Sequence, residues 1–468
     1  MIDPLHPYQE RARDFVLDRL YAQDELGAGL FLDPGLGKTR VTLEVLATLH
    51  ALGVIERTLV IAPLRVCQTV WEQEAEKWRI PLTMTCLCNS DVSGRAQIEL
   101  INPDSIHRLI PFAGRWDSLV VDESTAFKNW TGSKGKRKKN SQRKVNRRGS
   151  RMPNLRKLLP QMKKRIILTG TPAANSLSDL HSQVYILDDG AALGKNVTVF
   201  RSRFCTKGGW MGRQWLFREE MEKALFDLIG PMVLRMDAES NLDMPELLTH
   251  NMYCRMPENA KHEYARLKRD LLAQLESGDI MAMNAASAYM KMKQAANGAV
   301  YDEQRNVHEW HSAKLDMHDE LIEELAGKPL LTFFQFRHDA ERIRKRHPKA
   351  EILSGRTKPS EVEGLLRRWN GGDIRLFLIQ PQAASHGLNL QAGPCADIAW
   401  FGIGDSPEVY DQAVRRVYRQ GQKNRQVRVH RLLCEGTVDG IIKERLEGKF
   451  KIQNEFFKAL IAHAKSSQ

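Results

Sequence analysis

Cysteine is sparse and scattered in this chain: seven residues in 468, at Cys67, Cys86, Cys88, Cys205, Cys254, Cys395 and Cys434, with no C-x-x-C pair. That spacing indicates neither a zinc ribbon nor a disulfide framework, and a reducing compartment fits it best. Long apolar runs are missing as well. No stretch approaches the roughly 18 residues that a membrane span needs, and no charged-then-apolar leader follows Met1, so membrane insertion and secretion are disfavoured. No short-period repeat is present. The pair in His308-Glu-Trp-His311 lacks further ligands and reads as a surface coincidence. Acid is also in deficit, with 57 Asp plus Glu against 70 Lys plus Arg, a net charge of +13.

The charge excess is local. Lys134, Lys136, Arg137, Lys138, Lys139, Arg143, Lys144, Arg147, Arg148 and Arg151 put ten positive charges in one acid-free stretch, leaving +3 for the rest of the chain. With almost no apolar residues, that stretch cannot bury itself and is expected to be a solvated arm or loop, an insertion over 130–152. Two readings stand for it: a contact with a polyanion such as DNA, or a solubility device.

What the chain does contain is enough apolar sequence, 42%, for globular cores. Its length suggests about three domains. Short apolar runs at Thr58 to Ala62, Ser118 to Val121 and Arg165 to Leu168, interleaved with helical patterns, predict a parallel α/β sheet. Similar runs return at Leu330 to Phe334, Arg375 to Ile379 and Val427 to Leu433. Between them, long charged amphipathic stretches such as Ala260 to Leu275 predict helices. The expected plan is an α/β lobe over 1–180, a helical connector over 181–310 and a second α/β lobe over 311–468.

Chemistry enters at DPGLGKT, Asp33 to Thr39. Apolar Leu30, Phe31 and Leu32 precede it, and Val41, Val45, Leu49 and Leu52 follow at helical spacing, giving strand, loop and helix in that order. Gly35 and Gly37, around Leu36, allow the tight turn that aims backbone N–H groups at anionic oxygens. Lys38 supplies a point charge for phosphate and Thr39 a hydroxyl for Mg²⁺. The usual earlier glycine is replaced by Leu32, so a plain glycine turn capping a strand is the other reading. After Ser118 to Val121 comes Asp122-Glu123-Ser124-Thr125. Acids at the C-terminal end of a buried strand sit where open α/β sheets bind ligands, so Asp122 can hold Mg²⁺ and Glu123 polarise water; a strand-end cap is the alternative. Ser406-Pro407 predicts a helix start. From there Gln412, Arg416 and Arg419 fall on one helical stripe opposite Tyr410, Val414 and Val417, either as an arginine-finger element or as a solvated basic face.

Taken in order, these segments resemble the helicase-type ATPases of superfamily II, and within them the Snf-type family of duplex-DNA translocases. The resemblance runs over nearly the whole length: LHPYQ at Leu5 to Gln9, DPGLGKT, DESTAFKN from Asp122, ILTGTPAANSLSDL from Ile167, HGLNL from His386, QAVRRVYRQGQ from Gln412 and GTVDGIIKERLEGK from Gly436. It implies two RecA-like lobes, ATP and Mg²⁺ as cofactors, and a compact bacterial or phage motor working on DNA in the cytoplasm of its host, or in the nucleus if the source is eukaryotic. It further implies that Tyr8 and Gln9 contact adenine, that Thr169, Gly170 and Thr171 couple nucleotide state to DNA, and that Gln412, Arg416 and Arg419 face the γ-phosphate. A monomer is expected, with a nuclease or a replication or repair factor as the protein partner to look for. Two departures stand out: DEST replaces the common DEAH, leaving the histidine's coupling role unfilled, and Ala384-Ser385-His386-Gly387 replaces a more glycine-rich loop.

Overall fold

The computed structural model describes residues 4–88, 90, 92, 96–130, 151–173, 176–208, 214–276, 282–384 and 388–448. The chain divides between Leu242 and Asp243 into two units. The first holds strands β1 (Gly27–Leu32), β2 (Thr58–Ile61), β3 (Met84–Cys86), β4 (Ile98–Ile101), β5 (Ser118–Asp122) and β6 (Lys164–Thr169). A hairpin of β7 (Cys205–Gly208) and β8 (Gln214–Phe217) follows, then β9 (Val233–Met236). Seven of these form one sheet in the order β3-β4-β2-β5-β6-β1-β9, every pairing parallel. The central strands read as continuous apolar runs because helices cover both faces. In β1, glycine has a packing reason. A Cβ on Gly27 would lie 2.5 Å from the Leu187 carbonyl oxygen and one on Gly29 2.8 Å from Val233 Cγ1, so the helix Leu180–Asp188 and β9 approach the bare backbone.

The second unit carries β10 (Glu246–Cys254), a hairpin of β11 (Ala299–Tyr301) and β12 (Val307–Glu309), and then β13 (Leu330–Phe333), β14 (Glu351–Leu353), β15 (Leu376–Ile379), β16 (Asp397–Trp400) and β17 (Gln426–Cys434). Its six-stranded sheet runs β10-β17-β16-β13-β15-β14, again all parallel. Two parallel-sheet α/β lobes are therefore present, as the apolar runs predict.

Residues 181–310 do not stand apart as a third body. They include the helices Glu258–Glu276 and Ala282–Ala296, but also β9, an edge strand of the first sheet, and β10, an edge strand of the second. Edge position explains why neither reads as a buried strand: β10 is exposed or half-buried along its whole length, and β9 contains a solvent-facing Arg235. The histidine pair is not a surface feature either. His311 is buried with its Nε2 on the Ala295 carbonyl at 2.9 Å, while exposed His308 bonds Asp302. Leu52, the last of the residues at helical spacing, caps the helix Lys38–Ala51 and is half exposed. No helix among the described residues is long and apolar enough to cross a membrane.

Candidate active site

The phosphate loop connects β1 to the helix Lys38–Ala51, and its two glycines hold left-handed backbone, Gly35 at φ 101° and Gly37 at φ 75°. Only glycine adopts such angles without strain, and the result is a turn that opens the helix N-terminus toward an anion. Leu36, between the two glycines, is fully buried. Lys38 donates its ammonium to the carbonyl oxygens of Leu32 at 2.6 Å and Asp33 at 3.4 Å, folding its charge back over the turn. Thr39 is half-buried in the first turn of the helix. Asp33 ties the loop sideways: its N–H donates to the Met236 carbonyl at the end of β9, and its carboxylate accepts from the Ala238 N–H at 3.2 Å.

Gln9 lies against this loop. Its side chain donates to the Leu36 carbonyl at 3.3 Å and accepts from the His6 N–H at 3.1 Å, and a Cβ on Gly37 would sit 2.4 Å from Gln9 Nε2. Tyr8 is buried and stacks on His6 at 5.4 Å between centroids. Burial pushes the Tyr8 hydroxyl up, with Arg40 opposing; Arg40 itself caps the Trp78 ring at 3.5 Å.

The other two segments leave the same edge of the sheet. Asp122 pairs in register with Leu168, and Leu168 with Leu30, so β5, β6 and β1 end side by side. The acidic pair, the Thr169-Gly170-Thr171 turn and the phosphate loop thus emerge from three neighbouring strand ends, the ligand-binding edge of an open α/β sheet. Burial pushes the Asp122 carboxyl up to about 7, reinforced by the Glu123 carboxylate and opposed by the Lys38 ammonium. A carboxylate this poorly solvated gains from a hard cation. The oxygen donors available, the Asp122 carboxylate and the Thr39 hydroxyl, fit Mg²⁺. Glu123 has φ 55°, left-handed backbone that a non-glycine residue adopts at a cost of order 1–3 kcal/mol.

Hydrogen bonds that the sequence did not announce join these segments. Ser124 donates its hydroxyl to Gln183 Oε1 at 2.7 Å, and Gln183 Nε2 donates to the Pro172 carbonyl at 2.6 Å. Both side chains are fully buried. Ser124 therefore links the acidic segment to the turn after β6, one residue before Thr125, where DEAH would carry its histidine. A Cβ on Gly170 would lie 2.9 Å from Pro34 Cδ, so the same turn also rests on the phosphate loop. Thr171 adds a hydrogen bond from its N–H to Thr169 Oγ1.

In the second unit, Ser406 caps the helix Pro407–Val414, accepting from the Val409 N–H, with Pro407 in its first position as expected. The helix ends sooner than the stripe requires. The Arg416 N–H turns back to the Ala413 carbonyl, and its own carbonyl is taken by the Leu390 N–H, so no helical bond continues from it. Gln412 is thus on the helix, whereas Arg416 and Arg419 sit in the turns beyond it; Val414 and Val417 are buried as predicted. Arg419 donates to Asn389 Oδ1 at 3.1 Å. Gln422 pins the returning chain through the carbonyls of Cys395 and Val417, a role only the final Gln of the R-x-G-Q run could have signalled. Of the basic stretch, Arg151 begins the helix Arg151–Leu158 and pairs with Asp104 at 2.8 Å. Its other nine charges lie outside the described residues, as do Ser385, His386 and Gly387.

Comparison with known proteins gives the family. Residues 8–309 match the SNF2-related domain and residues 313–421 the helicase conserved C-terminal domain. Protein p41 of Acyrthosiphon pisum secondary endosymbiont phage 1 is 31% identical over 482 residues, which cover 97% of this chain and 98% of p41. Chromodomain-helicase-DNA-binding protein 1-like of Danio rerio is 25% identical over 96% of this chain, but the chain spans only 43% of that protein's length. The Sulfolobus solfataricus SWI2/SNF2 ATPase core solved in complex with dsDNA aligns over 98% of this chain and 93% of its own, at 23% identity and a TM-score of 0.44. Two adjoining domain matches and a full-length phage relative account for both halves of the molecule: the chain belongs to the SNF2-related family.

Proposed function

We propose that the chain is a DNA-dependent ATPase that couples ATP hydrolysis to movement along duplex DNA. The observation that carries this reading is the convergence of the phosphate loop, the acidic pair and the Thr-Gly-Thr turn on three adjacent strand ends, in a chain whose family includes helicase and DNA-binding proteins by name. In this reading Lys38 and the loop N–H groups of Gly35 to Thr39 hold the phosphates, with Tyr8 and Gln9 beside the base. Thr39 and Asp122 hold Mg²⁺, which would screen the phosphate charge, and Glu123 orients the attacking water. Arg416 and Arg419 contribute positive charge to the transferring phosphoryl group, Gln412 faces the γ-phosphate with a neutral amide, and Thr169, Gly170 and Thr171 pass nucleotide state to the DNA contacts.

The test is ATP hydrolysis measured with no nucleic acid, duplex DNA, single-stranded DNA and RNA, each at saturating mass. Duplex DNA is expected to give the largest stimulation, and displacement of a third strand from a triplex would report movement. Equal rates in all four arms would remove DNA from the reading; no hydrolysis in any would leave a nucleic-acid clamp.

A further inference from the structure

We propose that His318, Asp319 and His347 form a binding site for one divalent transition-metal ion of the zinc type. The three side chains each offer one ligand atom, and these atoms lie within 4.8 Å of one another. They come from two helices packed on the second sheet: His318 and Asp319 from the middle of Ala313–Glu324, and His347 from the residue that caps Arg337–Arg346.

The buried member is the informative one. His318 is completely enclosed, its ring 6.0 Å from that of Phe401, and its Nε2 engages Thr332 Oγ1 at 2.9 Å. Among the described residues its Nδ1 has no hydrogen-bond partner. An enclosed, unpaired ring nitrogen costs stability, yet it is the condition of a ligating imidazole: one nitrogen held by a neighbour, the other presenting its lone pair.

Charge and access agree. His347 Nε2 lies 2.6 Å from Asp319 Oδ1, a contact an ion would replace with two bonds of its own. Arg346 bridges Asp319 Oδ2 and Asp316 Oδ1, so one guanidinium faces two carboxylates and a negative charge is left for a cation. His347 and Asp319 are each 28% exposed, which opens a path for the ion and a fourth position for water. Two imidazoles and one carboxylate suit zinc better than magnesium or calcium. The bound ion would pin the two helices together and stabilise the unit by mass action.

The experiment uses the full chain, stripped with chelator and titrated with Co²⁺, then with Zn²⁺ in competition. One equivalent should bind, giving visible d–d bands without a thiolate charge-transfer band, and Zn²⁺ should raise the melting temperature. His347→Ala and Asp319→Asn, both at partly exposed positions, should each weaken binding at least about tenfold and remove the thermal shift; His107→Ala, at an exposed histidine of the first unit, should change neither. Circular dichroism confirms that the variants fold. Binding that survives in both variants, a thiolate band, or no cobalt uptake by the wild type would overturn the proposal.

Discussion

Glu123 holds a left-handed backbone that costs energy, next to a carboxyl that burial pushes up to about 7. Such strain persists where the surroundings over-determine it. Glu123→Gln keeps the shape and removes the base, so nucleotide binding should survive while turnover falls by two orders of magnitude or more, read by fluorescent-nucleotide binding beside phosphate release. His311 makes a different prediction. Its Nε2 donates to the Ala295 carbonyl and its Nδ1 accepts from the Ala313 N–H, which fixes the neutral ring. Burial, assisted by Lys314 and Arg342, pushes its pKa down to about 4 from an ordinary 6.5. The unfolded chain then binds the proton first, so this stabilisation is complete above pH 6.5 and is lost as pH falls toward 4. The difference is about 3 kcal/mol. His311→Gln should flatten the fall in urea midpoint over that window.

Elements were legible where burial on both faces made them uniformly apolar. β2, β5, β6, β13, β15 and β17 all lie where their apolar runs predict, and the strand, loop and helix around Gly35 follow the order read from sequence. β4 was not legible, because Glu99 sits in its middle; that carboxylate is fully buried and held by Arg115 and the Trp116 indole, partners distant in sequence. The helix from Pro407 was legible at its start, where Ser406 and Pro407 are local signals, and not at its end, where the Leu390 N–H captures the Arg416 carbonyl. Arg416→Ala and Arg419→Ala should lower the DNA-stimulated rate far more than nucleotide affinity, by up to roughly 10³ to 10⁵ if they stabilise transition-state charge. Loss of affinity without loss of turnover would make them ground-state contacts. Gln183 was invisible in sequence, since nothing local marks a glutamine that bridges Ser124 and Pro172. Gln183→Leu strands both partners, and a thermal shift accompanied by ATP hydrolysis that no longer responds to DNA would identify it as the coupling path; a thermal shift alone would identify a structural strut.

For the whole molecule, the charge balance concentrates in residues 134–151, of which only Arg151 is described, paired to Asp104. The remaining nine charges support a proposed duplex contact by composition alone. Deleting 134–150 should weaken duplex binding at low salt and flatten the slope of log affinity against log salt by about 0.9 for each phosphate that is no longer neutralised. ATP hydrolysis without DNA should stay nearly unchanged. An unaltered slope would assign these charges to solubility.

The hydrogen bonds from Asp33 to Met236 and Ala238 have a mechanical meaning. They clip the phosphate loop to the last stretch of chain before the first unit ends at Leu242. If the loop holds phosphate as proposed, linkage is reciprocal: whatever factor phosphate occupancy applies to the looseness of that stretch, tension on the stretch would apply to phosphate affinity. In that reading the outgoing chain would act as a strain gauge on the nucleotide. A load borne by the molecule would then register as slower or faster product release, and each turnover as a tug on the outgoing chain.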